Sequence, residues 1–183
     1  MPFLADPMDA RSFTEATPAV LLDSARIARV VRERGVSRLG LLPADGRVAV
    51  PPVAVQLASA LAELTAAPVG VVDADGSWVG TPGTEASAPS WIAPRVALLS
   101  LGRLGPGTAL DHLEELVSDP TALGRLVVDL TGFDRLGEHL GACELMDGLA
   151  LVARSGETLT RDLSRAARDL PEDRFLGVLL VGA

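Results

Sequence analysis

The residues best placed by type and spacing for chemistry are acids that follow short apolar runs. Asp73 and Asp75 come after VGVV at 69–72, and Asp129 follows LVV at 126–128, with Thr131 two residues on. Carboxylates at the ends of buried strands can hold magnesium or orient a water, and a nearby hydroxyl can join them. An Asp after an apolar strand is also a common turn residue, so spacing alone leaves both readings open. The third part such chemistry needs is a loop that holds phosphate. That loop requires glycines so that backbone amides converge, a lysine to neutralise charge, and a Ser or Thr for the metal. The stretch in that place reads PADGRVAVPP over 43–52. Its single glycine is Gly46, Val50 and Pro51 stand where the lysine and serine would be, and Asp45 adds a repulsive charge. Pro51 and Pro52 supply no amide donors. Arg47 is the one cation within the loop, and a guanidinium differs from an ammonium in geometry and position.

Composition sharpens the point. The chain has no lysine and no tyrosine, and all 16 basic residues are arginine. A lysine-dependent phosphate site and a tyrosine acceptor on this chain are both excluded. At 183 residues one domain is expected, and 48% hydrophobic with 3% aromatic suits aliphatic parallel strands between helices. A net charge of −8 sets the long-range field against nucleic acid. Cys143, the only cysteine, permits no intrachain disulfide and reads as a core thiol in a reducing cytoplasm. His112 and His139 lack metal-site spacing, so no metal site is expected. No segment has the length of a membrane span or the pattern of a signal peptide, so no direct membrane insertion is expected.

The elements that must position these residues follow from the apolar pattern. Residues 1–18, dotted with Pro2, Pro7 and Pro18, read as a flexible N-terminal arm, and 19–183 as a single domain. Helical spacing runs over 20–35 and stops at Gly35. Strands are predicted over 39–42, 69–72, 95–101, 126–130, 149–153 and 176–181. Helices are predicted over 52–66, 109–117 and 134–140, with a last one capped by Thr158 and reaching Leu170. Residues 76–94, rich in Gly, Pro, Ser and Thr, read as a mobile surface loop. Strands alternating with helices, apolar rather than alternating, give a doubly wound, mostly parallel α/β sheet with helices on both faces.

Taken together, these segments resemble the bacterial tyrosine kinases of capsule and exopolysaccharide synthesis, relatives of the MinD/ParA group of P-loop ATPases. Residues 52–64, PVAVQLASALAEL, are similar to the family's helix "TVAANLALALAQL". The strand ending in Asp73 and Asp75 resembles "VLLVDAD", and LVVDLTG at 126–132 resembles the Walker B segment "VIIDTPP". MDGLALVAR at 146–154 is similar to "ADGVLLVVR", and Asp23, Arg26 and Arg29 resemble the Glu-x-x-Arg-x-x-Arg motif through which those kinases assemble into rings. The resemblance covers about residues 20–182.

What it implies is a P-loop fold with a degenerate phosphate loop. Gly46, Arg47, Asp73, Asp75, Asp129 and Thr131 then mark a vestigial nucleotide site, with Asp73 and Asp129 at neighbouring strand ends facing one pocket. Asp23, Arg26 and Arg29 mark an interface, although charges spaced by three also lie on solvated helix faces. The expected function is a catalytically inactive domain without cofactors. Its expected partners are further copies of itself, a homologous active ATPase or kinase, or a membrane polysaccharide co-polymerase that would recruit it to the membrane. The alternative is an unorthodox nucleotide-binding ATPase of the MinD/ParA type, acting as a spatial switch and binding ATP and Mg. A receiver-like regulatory domain with Asp73 as acceptor fits less well, since the lysine such domains carry is missing.

Overall fold

The strand RLGLLP, β1 (Arg38–Pro43), is buried on both faces between its half-buried ends, and that pattern sets the architecture. Leu39 and Leu41 belong to one apolar layer and Leu42 to another. A strand buried on both faces needs helices above and below it. The computed structural model describes residues 18–73, 78, 89–101, 108–118 and 123–182, with the backbone alone at 18–23 and 134–136.

Six helices and seven strands are present among these residues: α1 (Pro18–Glu33), β1, α2 (Pro51–Thr65), β2 (Val69–Asp73), β3 (Ser90–Ala93), β4 (Val96–Ser100), α3 (Thr108–Ser118), β5 (Arg125–Asp129), α4 (Thr131–Leu136), α5 (His139–Glu144), β6 (Gly148–Arg154), α6 (Thr160–Arg168) and β7 (Phe175–Val181). The strands form one sheet in the order β3-β4-β2-β5-β1-β6-β7. All neighbours are parallel except β3, which pairs antiparallel with β4. This is the doubly wound, mostly parallel α/β sheet that the apolar runs predict.

One layer is built by α1 and α2, with Ile27, Val31, Val53, Leu57 and Leu61 packed on Leu41, Val71 and Val127. The opposite layer gathers Leu113 of α3, Phe133 of α4, Ala142 and Cys143 of α5 and Leu170 after α6. Gly40 faces that second layer without a side chain. A Cβ there would lie 2.7 Å from Leu130, 2.8 Å from Leu149 and 2.9 Å from Met146, so the three apolar tips already fill its space. At the opposite end of the sheet from the 43–50 loop, the Asp147 carboxylate accepts the backbone N–H groups of Ser37 and Arg38 and the Arg38 guanidinium. That clamp ties the start of β1 to the start of β6.

Three expectations need correction. The predicted surface loop over 76–94 ends in a strand, because Ser90–Ala93 pairs with β4 across a tight turn at Pro94 and Arg95, where Arg95 has φ of 62°. The helix expected over 134–140 is two short helices, separated at Gly137 with its φ of 72°. Thr158 does not cap α6: Leu159 occupies that position with no side-chain cap, and the Thr158 hydroxyl is engaged elsewhere. The N-terminal arm lies outside the described residues apart from Pro18, which opens α1.

Candidate functional site

The chain leaves β1 toward β2 on one side and later places β6 on the other, so the loops diverge above β1. A crevice at the carboxyl ends of the strands is the expected result. A cleft of about 740 Å³ opens there. Its lining comes from the end of β1 and the following loop, from Leu130 and Thr131 after β5, from Leu151 of β6, from His139, and from α6. Gly46 and Thr131, two of the residues singled out in the sequence, meet in this cleft.

The loop itself is closed by its own acid. The Arg47 backbone N–H donates to Asp45 Oδ1 at 2.9 Å, and the Thr158 hydroxyl donates to Asp45 Oδ2 at 2.7 Å. Thr158 Oγ1 in turn accepts the Arg154 N–H at 2.9 Å. The bond from Thr158, then the Arg47 amide, hold the Asp45 carboxyl below its ordinary value, so it carries its charge at neutral pH. An anion already sits on the amide that a phosphate would need. Beyond it, Val48 and Val50 are 7% and 1% exposed and belong to the core under α1 and α2. α2 then begins at Pro51 without a side-chain cap. The position expected for a phosphate-binding ammonium is therefore an apolar side chain pointing into the core. Val50 and Pro51 thus bring neither an ammonium nor a hydroxyl to this end of the loop. Arg47 is exposed and does not line the cleft.

Asp73 and Asp129 are directly paired across β2 and β5, as the strand order implied. They are 0% and 5% exposed, however, and neither lines the cleft. Trp78 contacts both carboxylates. Its backbone N–H donates to Asp73 Oδ2 at 3.0 Å, and its indole N–H donates to Asp129 Oδ2 at 3.2 Å. The other oxygen of Asp129 accepts the Thr131 N–H at 2.9 Å and the Thr131 hydroxyl at 2.6 Å. Burial pushes the Asp129 carboxyl above its ordinary value, opposed in part by the bonds from Thr131 and Trp78. Asp75 lies outside the described residues.

Other candidates resolve as structure. Cys143 is 1% exposed, and burial pushes its thiol up to about 11, opposed by Arg174, as befits an inert core residue. No group of three or more His, Cys, Asp or Glu residues suited to a metal exists among the described residues. On α1, Arg26 and Arg29 are exposed opposite buried Ile27, Ala28 and Val31, while only the backbone of Asp23 is described. Sequence reasoning missed Trp78 and the polar set Asp162, Arg165 and Asp169 on and just after α6, which lines the cleft. The set had a signal: spacings of three and four put such residues on one helical face.

No protein-family model and no curated protein matches the sequence. Solved structures do match. The kinase domain of VpsO aligns with a TM-score of 0.72 at 13% identity, over 90% of this chain and 94% of that one. The kinase domain of the Escherichia coli tyrosine kinase ETK aligns at 0.67 and 17% identity, over 93% and 82%. The BceF tyrosine kinase domain aligns at 0.65 and 14% identity, over 89% and 76%. The likeness is one of fold: this chain is built as bacterial tyrosine kinase domains are.

Proposed function

We propose that this chain is a kinase-fold domain that transfers no phosphoryl group and acts by binding other proteins. The observation that carries the reading is Val50, which replaces the expected lysine with a side chain 1% exposed and packed in the core. Charge neutralisation at the phosphates is the main thing a protein supplies to phosphoryl transfer. Here the loop offers a carboxylate, the prolines at 51 and 52, and an amide already bonded to that carboxylate. With no tyrosine in the sequence, self-modification on tyrosine has no acceptor.

The partners this reading favours follow from the resemblance: further copies of the chain, a homologous active kinase or ATPase, or a membrane polysaccharide co-polymerase. No described helix is long and apolar enough to cross a membrane, so a cytoplasmic domain would reach the envelope through such a partner. Neither ATP nor magnesium serves as a cofactor. Calorimetric titration with ATP–magnesium, together with a hydrolysis assay, tests this. The expected result is no saturable heat and no turnover, and a low-micromolar dissociation constant would overturn it.

A second reading, the unorthodox MinD/ParA-type ATPase, draws on the cleft that remains open beside Gly46. Under it ATP–magnesium would bind, and replacing Asp73 and Asp129 together by Asn would abolish that binding.

A further inference from the structure

The cleft above β1 survives although the phosphate loop beside it has lost its fittings, and its lining has a chemistry of its own. Leu42, Leu130, Leu151 and Leu170 form an apolar floor, each 9% exposed or less. The charged groups at its rim are Asp45, Asp162, Arg165 and Asp169, three carboxylates against one guanidinium. At about 740 Å³ it lies within the ordinary range for small-ligand sites.

We propose that this cleft binds an organic cation, an ammonium or guanidinium group carried on an apolar body. The argument is one of charge complementarity. Asp45 is already satisfied by the Arg47 amide and the Thr158 hydroxyl, which leaves the other two acids to meet a ligand. Asp162 lies 3.7 Å from Arg161, whose side chain is 81% exposed, a contact too open and too long to neutralise it. Asp169 makes no ion pair among the described residues, and neither does Arg165. The two acids stand three before and four after Arg165, so they flank it on one face of the α6 segment. An anionic ligand would meet one cation between two carboxylates, on a chain whose net charge is −8. A cation would meet both carboxylates, with its apolar part on the leucine floor. The same group could arrive on a free small molecule or on an arginine side chain of a protein partner.

This inference rests on the reading that the cleft no longer serves a nucleotide, and separate probes keep the two apart. ATP–magnesium tests that reading. Benzamidine, a flat amidinium on an apolar ring, tests this one, with benzoate as the anion of matched shape. The full chain is titrated with each by NMR at one ionic strength, following the amides of Thr131 and Ala166. Benzamidine is expected to shift both saturably, while benzoate does not. Asp162→Asn combined with Asp169→Asn is expected to weaken benzamidine by about tenfold, the size expected for losing two partly exposed charge contacts. Arg165→Gln is expected to tighten it, because a competing like charge is gone. A capped leucine-arginine-leucine peptide separates the sources: tighter binding than benzamidine assigns the site to a partner's side chain, and weaker binding assigns it to a free small molecule. Equal or tighter binding of benzoate would overturn the proposal. So would an unchanged benzamidine affinity in the double Asn variant, or no saturable shift with any cationic probe.

Discussion

The indole of Trp78 reaches across 51 positions of sequence to donate to the Asp129 carboxylate at 3.2 Å, while its own backbone N–H holds Asp73 at 3.0 Å. One residue thus spans the two strand ends. Asp73 and Asp129, paired across β2 and β5, share one half-buried aromatic residue as a donor.

Trp78→Phe tests that description. The ring and its packing remain, but Asp129 Oδ2 loses the indole N–H as a donor inside a buried site. Leaving a buried acceptor short of a partner costs about 1–3 kcal/mol, and the half-buried indole places this case in the lower part of that range. The expected outcome is a lower urea midpoint with an unchanged slope, measured by circular dichroism. An unchanged midpoint would show that water replaces the indole without loss.

Asp129 also gives a pH dependence of known sign. Its folded value is raised above the ordinary 3.8, first by burial, with the Thr131 and Trp78 bonds opposing. A group raised on folding contributes stability that is full below its unfolded value and is lost as pH rises through its folded value. Comparing unfolding free energies of the natural chain and Asp129→Asn on a pH series that starts near the ordinary carboxyl value and rises through neutrality isolates the contribution. The advantage of the natural residue is expected to shrink as pH rises. An advantage that grows with pH would mean the carboxylate is stabilised in its charged form.

How far these features could be read in advance depended on what kind of signal each left. The strands β1, β2, β5 and β6 are short apolar runs buried on both faces, and such runs need no partner information to be seen. β3 has only four residues between Pro89 and Pro94, and its short apolar run is exposed or half-buried, Trp91 being 62% exposed, so it exists through pairing with β4. Val50 was legible as a missing lysine, but that its side chain had joined the core was not. Trp78 was hidden for a different reason: its partners lie across the sheet, and it sits in a stretch whose Gly, Ser and Thr content reads as loop. Thr158 has the residue type of a helix cap, yet it stands one residue before the cap position, and its oxygen accepts the Arg154 N–H while its proton goes to Asp45.

That Asp45–Thr158 contact supplies a further test. Asp45 is held below its ordinary 3.8, chiefly by the Thr158 hydroxyl and then by the Arg47 amide. A lowered carboxyl contributes stability present above its unfolded value and lost as pH falls through its folded one. In Thr158→Val the hydroxyl donor is gone, and the Arg154 N–H also loses its acceptor. The Asp45 carboxyl, followed by carbon-detected NMR titration, is expected to move up toward its ordinary value. Hydrogen exchange at the Arg47 amide should quicken at the same time. If neither changes, the loop is held closed by its backbone alone.

The remaining prediction concerns assembly, where the proposed function places the activity of this chain. Arg26 and Arg29 lie exposed on α1, one turn apart, while Ile27, Ala28 and Val31 point into the core. Copies of a chain with net charge −8 repel at long range, so association needs local pairing of such arginines with carboxylates. Each exposed pair gives only ~0–1 kcal/mol, and half-buried Val30 is the apolar neighbour available on α1 to add to it. Arg26→Glu with Arg29→Glu reverses two charges on an exposed face of α1, so the monomer is expected to stay folded. Self-association or partner capture is expected to fall by more than about tenfold, as two attractive contacts become repulsive. Light scattering and a pull-down measure it. A double variant that keeps both the mass and the partners of the natural chain would show that this face is solvated and that the interface lies elsewhere.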